Sequence, residues 1–372
     1  MLITHLNKRY PPHIGGVERV AHALATLMAR DGHRVRAIAC APTGASRARE
    51  LDGVEVIECA SYGVVQSVPL APAYLWFRSR EGEVWHLHEP FPLGTVAVAT
   101  RMLARRSHPL IVTWHSDVIR QRMLRPMHQA MADRVLARAA VIHVPTEAHL
   151  ARSAVLARHR AKVRVIPFPI DGATFRRVGA SQLGQHIRKW ADGDPVGLFL
   201  GRFVYYKGLD VLIDAAARIP SLRLVVAGDG PLAPQLRARA QKLGLDGRVL
   251  WTGQVDDSDL AGLYAGADFF VLPSTHPSEA FGLVQVEAMA AGLPVVSTRL
   301  GTGVDIVNAD GRSGILVPPA DVDALAAALE RLVNDETTRA RLARGARDRA
   351  DDFAPERLLP AYRELYEEAS RG

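Results

Sequence analysis

The sequence predicts an α/β protein made of two Rossmann-like, doubly wound domains in tandem. Short β-branched runs alternate with segments of helical period, the strand and helix alternation that builds parallel sheets. This alternation restarts in the second half of the chain, after the polar stretch RRVGASQLGQ at 176–185. At 372 residues the chain is also too long for one ordinary core, so two domains of roughly 180 residues are expected.

The first residues, MLITHL, read as a strand. Apolar residues then recur at helical spacing over 17–30 until Asp31 and Gly32 end the run, and HRVRAIAC follows as the next strand. VEVIEC, EVWHLHE, PLIVTWH, AAVIHVP and KVRVIPFPI continue the series, with helices over 94–106 and 124–139. In the second half VGLFLG, LRLVVAG, RVLWTGQ, DFFVLPS and PVVSTR are the strands. Helices over 208–218, 232–243, 258–266 and 282–291 connect them, and two more are expected over 321–333 and 355–369. The domain limits become 1–178 and 190–352, with a last helical segment, 353–372, crossing back to the first domain. Sheets of this kind hold ligands beyond the carboxyl ends of their strands, so two such domains are expected to face a cleft lined by strand-to-helix loops.

With 48% hydrophobic and 23% charged residues the composition is globular. The N-terminus has no basic start followed by a long apolar run, and no segment approaches the roughly 20 apolar residues of a membrane span, so a cytoplasmic location is expected. Cys40 and Cys59 fall in or near strands and read as reduced structural thiols rather than a disulfide, a metal site or a nucleophile. Residues 1–180 carry 25 Lys and Arg against 13 Asp and Glu, or +12, whereas the remainder carries 21 against 26, or −5. Only 6% of the chain is aromatic and no nucleic-acid reading motif is present, which argues against a nucleic-acid partner. The basic half fits an anionic membrane surface, at the inner face of the plasma membrane, or a phosphate-bearing acceptor; the plainer reading is a solvated arginine-rich surface.

The most specific motif is SEAFGLVQVEAMAAGLPV at 278–295. It sets Glu279 and Glu287 eight positions apart, with Phe281, Gly282 and Leu283 opening a helix. Glycine permits close backbone approach to an anion, and free amides at a helix N-terminus suit a diphosphate. Glu287, about two turns into the helix, is a candidate acceptor for both hydroxyls of a ribose, and Glu279 for contact with a sugar. A buried carboxylate without such a partner would cost several kcal/mol, which weakens a purely structural role. GRFVYYKG at 201–208 sends Arg202 and Lys207 out of one strand end; Lys207 is one of only five lysines among 46 basic residues. IGGVE at 14–18 places Gly15 and Gly16 between the first strand and helix, and TWHSD at 113–117 ends a strand on His115.

With its glutamates separated by seven residues, the chain resembles the family 4 glycosyltransferases of the GT-B fold, two Rossmann-like domains facing a central cleft. The resemblance covers nearly the whole chain, with the motifs in family order. It implies that Arg202 and Lys207 grip the donor diphosphate, that Gly15 and Gly16 form the glycine loop at the phosphates or the acceptor, and that His115 lies against the donor sugar. It also implies that Gly253 and Val255 line the seat of the base and that Phe281, Gly282, Leu283 and Glu287 bind the donor. The catalytic set is then His115, Glu279, Arg202 and Lys207. The run HSDVIRQ looks most like bacterial polysaccharide mannosyl and rhamnosyltransferases, making Asp117 and Arg120 acceptor-binding candidates.

The resemblance implies a retaining, front-face transfer of a hexose from a nucleotide sugar to a saccharide or polyprenyl-diphosphate-linked acceptor. GDP-mannose ranks first among donors; a UDP-sugar donor, or a nucleotide-sugar epimerase of the same fold, are the alternatives. A phosphorylase would need a lysine for its pyridoxal cofactor and a longer chain, and an exported sugar-binding protein would not need the Glu279, Glu287, Arg202 and Lys207 set. Asp-x-Asp pairs at 257–259 and 321–323 each fall just ahead of an apolar-periodic run, where aspartates cap helices rather than hold a metal. No cofactor and no required metal are expected.

Overall fold

Strand order, more than strand count, positions the site in this protein, whose computed structural model describes residues 1–12, 15–65, 68–103, 108–116, 125–176 and 181–371. The chain divides into two units, Met1–Pro169 with Pro355–Gly372, and Ile170–Ala354.

The first unit contains β1 (Leu2–Leu6), β2 (Arg34–Cys40), β3 (Arg47–Leu51), β4 (Val54–Cys59), a small hairpin of β5 (Val64–Val65) and β6 (Val68–Pro69), then β7 (Glu83–Glu89), β8 (Leu110–Trp114), β9 (Val141–Val144) and β10 (Val163–Val165). Its main sheet runs β10-β9-β8-β7-β1-β2-β4-β3, parallel except for β3. Every residue of β7 is buried, as befits a central strand covered on both faces. Its alternating side chains divide between two environments. Trp85 and Leu87 join Leu6, Ile38, Val112, Leu136 and Ile142 in an apolar core. His86 lies instead against Tyr366 of the helix Pro355–Arg371, its Nδ1 at 2.6 Å from the phenol oxygen. Tyr362 of that helix donates to the Pro167 carbonyl at 2.9 Å, and Arg363 forms an ion pair with Asp31.

The second unit contains β11 (Val196–Leu200), β12 (Arg223–Ala227), β13 (Val249–Gly253), β14 (Phe269–Leu272), β15 (Val295–Thr298) and β16 (Gly314–Val317), in a parallel sheet ordered β13-β12-β11-β14-β15-β16. Numbered along the chain this is 3-2-1-4-5-6, the doubly wound order, whose winding reverses between β11 and β14. The first unit reverses in the same way between β1 and β7.

Several elements depart from the sequence reading. β3, RAREL, is an antiparallel edge strand rich in charge, so it shows no apolar run. KVRVIPFPI yields only the three residues of β10, because Pro167 and Pro169 cannot donate to a ladder. Part of the polar stretch at 176–185 enters a helix, Gln182–Ala191, that buries only Gly184, Ile187 and Ala191. The second unit begins at Ile170, whose N–H bonds to the Phe353 carbonyl at 2.9 Å, so 170–178 lies outside the first unit. Cys40 and Cys59 are buried free thiols in register on β2 and β4, and burial pushes them up to about 12 and about 11. Among the described residues no helix is long and apolar enough to cross a membrane.

Candidate active site

In the second unit the strand-end loops on either side of the switch point touch backbone to backbone. β11 leads through Gly201 and Arg202 to a single 3₁₀ turn, Tyr205–Lys207, and then to Gly208 before the helix Leu209–Ala217. Gly208 has φ +66°, and a Cβ there would lie 2.1 Å from the Pro273 carbonyl oxygen, so glycine alone lets the two loops close. The Thr275 N–H donates to the Tyr206 carbonyl at 2.8 Å across the same seam.

This contact brings Lys207 to Glu279: Nζ lies 2.6 Å from Oε2, and both side chains are buried. The Ser274 hydroxyl donates to the same carboxylate at 3.2 Å. Burial alone would lower the Lys207 pKa, but the adjacent Glu279 carboxylate and the Tyr206 hydroxyl outweigh it and the net shift is upward. Arg202, by contrast, is exposed, and among the described residues its guanidinium has no hydrogen-bond or ion-pair partner.

Gly282 caps the helix Leu283–Ala290 in the left-handed region, φ +74°. A Cβ there would meet Gln285 Nε2 at 2.7 Å and Leu272 Cδ2 at 2.8 Å. Further along this helix Glu287 is buried and accepts from the Tyr264 hydroxyl at 2.8 Å. Phe281 is buried and packs edge-on against Phe353 at 6.0 Å, while Leu283 is half-buried. Gly253 ends β13 with φ +71° and accepts from the Gly228 N–H at 2.7 Å; Val255 is half-buried two residues later.

The first unit holds the remaining described candidates. Gly15 is the cap and Gly16 the first residue of the helix Gly16–Arg30, with the Arg19 N–H on the Gly15 carbonyl at 3.0 Å. His115 leaves β8 with its N–H on the Glu89 carbonyl at 2.9 Å and its ring stacked on Phe168 at 5.2 Å. Burial, then the neighbouring His143 and His149, push His115 down to about 3, so its imidazole is uncharged at neutral pH. Asp117 and Arg120 lie outside the described residues.

The reading of the Asp-x-Asp pairs needs one correction. Asp321 does cap a helix, accepting from the Ala324 N–H at 2.9 Å, but Asp259 makes no side-chain cap, because the chain enters that helix already in a helical turn. Sequence reasoning singled out His115 after β8 but passed over the buried histidines around it: His5 on β1, His86 and His88 on β7, and His143 on β9. The i, i+2 spacing in HLH was the available signal, since it puts two imidazoles on one face of a central strand. Ring nitrogens of His5, His86 and His88 all lie within 4.8 Å of one another, close enough to consider a shared cation.

Comparison with known proteins decides the family. The model described as Glycosyltransferase Family 4 matches residues 14–173, and that described as Glycosyl transferases group 1 matches 185–349. O-antigen chain mannosyltransferase C of Escherichia coli is 31% identical over 98% of each chain. The chain is a family 4 glycosyltransferase. The transferase is also 33% identical to a phosphatidyl-myo-inositol mannosyltransferase of Mycobacterium tuberculosis, over 85% of this chain and 82% of that one. Its fold is GT-B: a sucrose-phosphate synthase from Thermosynechococcus elongatus superposes with a TM-score of 0.83 at 23% identity, covering 99% of this chain and 98% of the other. It is a hexosyltransferase, and its second unit pairs Lys207 with Glu279 where the loops after β11 and β14 meet.

Proposed function

We propose that the transferase moves mannose from GDP-mannose, with retention and without a required metal, to a saccharide or polyprenyl-diphosphate-linked acceptor of a bacterial cell-surface polysaccharide. The observation that carries this reading is the buried Lys207–Glu279 pair at the switch point. Burial works against the charge on Lys207 and the adjacent Glu279 carboxylate works for it, so a cation stands ready beside the strand ends that bind ligands in doubly wound sheets. The names of the two mannosyltransferase relatives support the choice of sugar.

In this scheme Lys207, Arg202 and the amides that follow Gly282 stabilise the charge that builds on the departing diphosphate. Glu287 accepts from the ribose hydroxyls and Glu279 from the hexose. His115, uncharged, offers an acceptor rather than a second positive charge to a hexose whose anomeric carbon becomes cationic. A departing phosphate oxygen takes the acceptor's proton, so no side chain acts as nucleophile. Nucleotide release is measured with GDP-mannose, UDP-glucose and UDP-N-acetylglucosamine, with and without EDTA, and the anomeric configuration of the product by NMR. Turnover confined to a UDP-sugar overturns the donor, EDTA inhibition the metal independence, and a β-mannoside product the retention.

The charge of +12 on residues 1–180 supports a peripheral contact with anionic membrane. Equal pelleting with neutral and anionic vesicles defeats it.

A further inference from the structure

We infer that the Ile166 carbonyl fixes the tautomer of His115 through a one-way chain of hydrogen bonds that passes through Tyr366 of the C-terminal helix, so that His115 presents the lone pair of Nδ1. Every link lies within the first unit, and every direction follows from the one before it.

His143 Nε2 lies 2.7 Å from the Ile166 carbonyl oxygen, which can only accept, so the proton of a neutral His143 is on Nε2. Tyr362 agrees: its hydroxyl gives its proton to the Pro167 carbonyl at 2.9 Å, and toward His143 Nε2 at 3.3 Å it can only accept. His143 Nδ1 is therefore bare and takes the Thr113 hydroxyl proton at 2.8 Å. Thr113 Oγ1, its one proton spent, accepts from His86 Nε2 at 2.6 Å. His86 Nδ1 is then bare and accepts from the Tyr366 hydroxyl at 2.6 Å. Tyr366 in turn accepts from His5 Nε2 at 3.3 Å, His5 Nδ1 from His88 Nε2 at 3.0 Å, and His88 Nδ1 from His115 Nε2 at 3.0 Å. His115 thus carries its proton on Nε2, leaving Nδ1 as an acceptor.

The directions require each ring to be neutral. Burial is the main cause that pushes His5 and His115 down to about 3, His143 to about 4, and His86 and His88 well below the usual range. The chain also occupies the nitrogens that a cation would need: the bare Nδ1 atoms of His5, His86 and His88 already accept from His88, Tyr366 and His115.

The tautomer follows from this geometry alone; that the Nδ1 lone pair meets a hexose hydroxyl rests on the proposed function. An acceptor there draws the hydroxyl proton toward itself and leaves electron density on the sugar, which favours a cationic transition state. Tyr366 is accordingly a positioning residue: it touches His86 and His5, not the sugar.

Nitrogen-15 NMR of the histidine-labelled full chain tests the chain, since protonated and bare ring nitrogens have distinct shifts. The expected wild-type signature is a protonated Nε2 and bare Nδ1 at His115, unchanged by added Zn²⁺. In Tyr366→Phe, His5 Nε2 loses its acceptor, so His5, His88 and His115 reverse together while His143 keeps its proton on Nε2. In Tyr362→Phe, with Ile166 still in place, His115 is unchanged. Donor kcat in Tyr366→Phe falls about tenfold with KM little altered. A wild-type His115 protonated on Nδ1 overturns the chain, as does zinc uptake by the three histidines, and neither needs a variant to fold. An unaltered His115 tautomer in a folded Tyr366→Phe removes Tyr366 from it. Absence of transfer from any nucleotide sugar, with the tautomer as stated, overturns the proposed function and leaves the chain standing.

Discussion

Lys207 Nζ lies 2.6 Å from the Glu279 carboxylate, and both groups are buried. Removing one partner of such a pair strands the other charge without water, which costs about 3 kcal/mol or more. Lys207→Ala is expected to lower kcat by at least about 10²-fold, the usual scale for losing a stabiliser of developing charge, and to lower the melting temperature as well. Lys207→Ala with Glu279→Gln removes the stranded charge, so it recovers much of the thermal stability without recovering turnover. Turnover that returns along with stability would assign the pair to folding alone.

Gly282→Ala combines two faults, a positive φ and a Cβ within 2.8 Å of Gln285 and Leu272. The side-chain ends of Gln285 and Leu272 can give way, but the left-handed φ of residue 282 sets the turn that opens the helix, so relief of that strain shifts the first amides, which are assigned to the diphosphate. Calorimetric titration with GDP is expected to show at least tenfold weaker binding. Native affinity for GDP in this variant would place the diphosphate elsewhere.

What was legible in the sequence depended on the range of the interaction. Central strands such as β14, FFVL, announce themselves because burial on both faces favours apolar runs, and Glu279 and Glu287 share one local motif. The pairing of Lys207 with Glu279 was hidden because it joins loops after β11 and β14, which are adjacent only in the 3-2-1-4-5-6 order. The helix Glu336–Ala350 was missed because its buried residues, Thr338, Leu342, Ala346 and Ala350, form a stripe only one residue wide on a charged surface. The histidine chain was hidden for a related reason: imidazoles on β1, β7 and β9 become neighbours only through the sheet order.

Glu287 accepts from the Tyr264 hydroxyl at 2.8 Å while buried, which holds the carboxylate in one orientation. If it also accepts from the ribose, Glu287→Gln loses charge-assisted bonds worth about 1.5–3 kcal/mol, or roughly 10- to 150-fold in GDP affinity. Tyr264→Phe keeps the charge and loses only its orientation, so its effect is expected to be smaller. Binding of deoxyribose GDP separates the two sites of action: discrimination against it should vanish in Glu287→Gln and persist in Tyr264→Phe.

The buried histidines give the first unit a pH dependence whose sign is fixed. His5 and His115 are held down to about 3 and His143 and His149 to about 4, chiefly by burial, whereas unfolded histidine titrates near 6.5. Above pH 6.5 both states are neutral at these sites, and they contribute no slope. As the pH falls below 6.5 the unfolded chain takes up protons that the folded chain cannot, so stability drops, by up to about 1.4 kcal/mol per pH unit for each histidine held neutral. The loss levels off only when the folded rings protonate, near pH 3–4. Between pH 7 and 5 most carboxylates stay ionised in either state, so thermal melts across that window report mainly on histidine. A melting temperature that declines steeply from pH 6.5 to 5 is expected, and one that stays level would mean that these rings take up protons in the folded protein, which would break the one-way hydrogen bonding at His115.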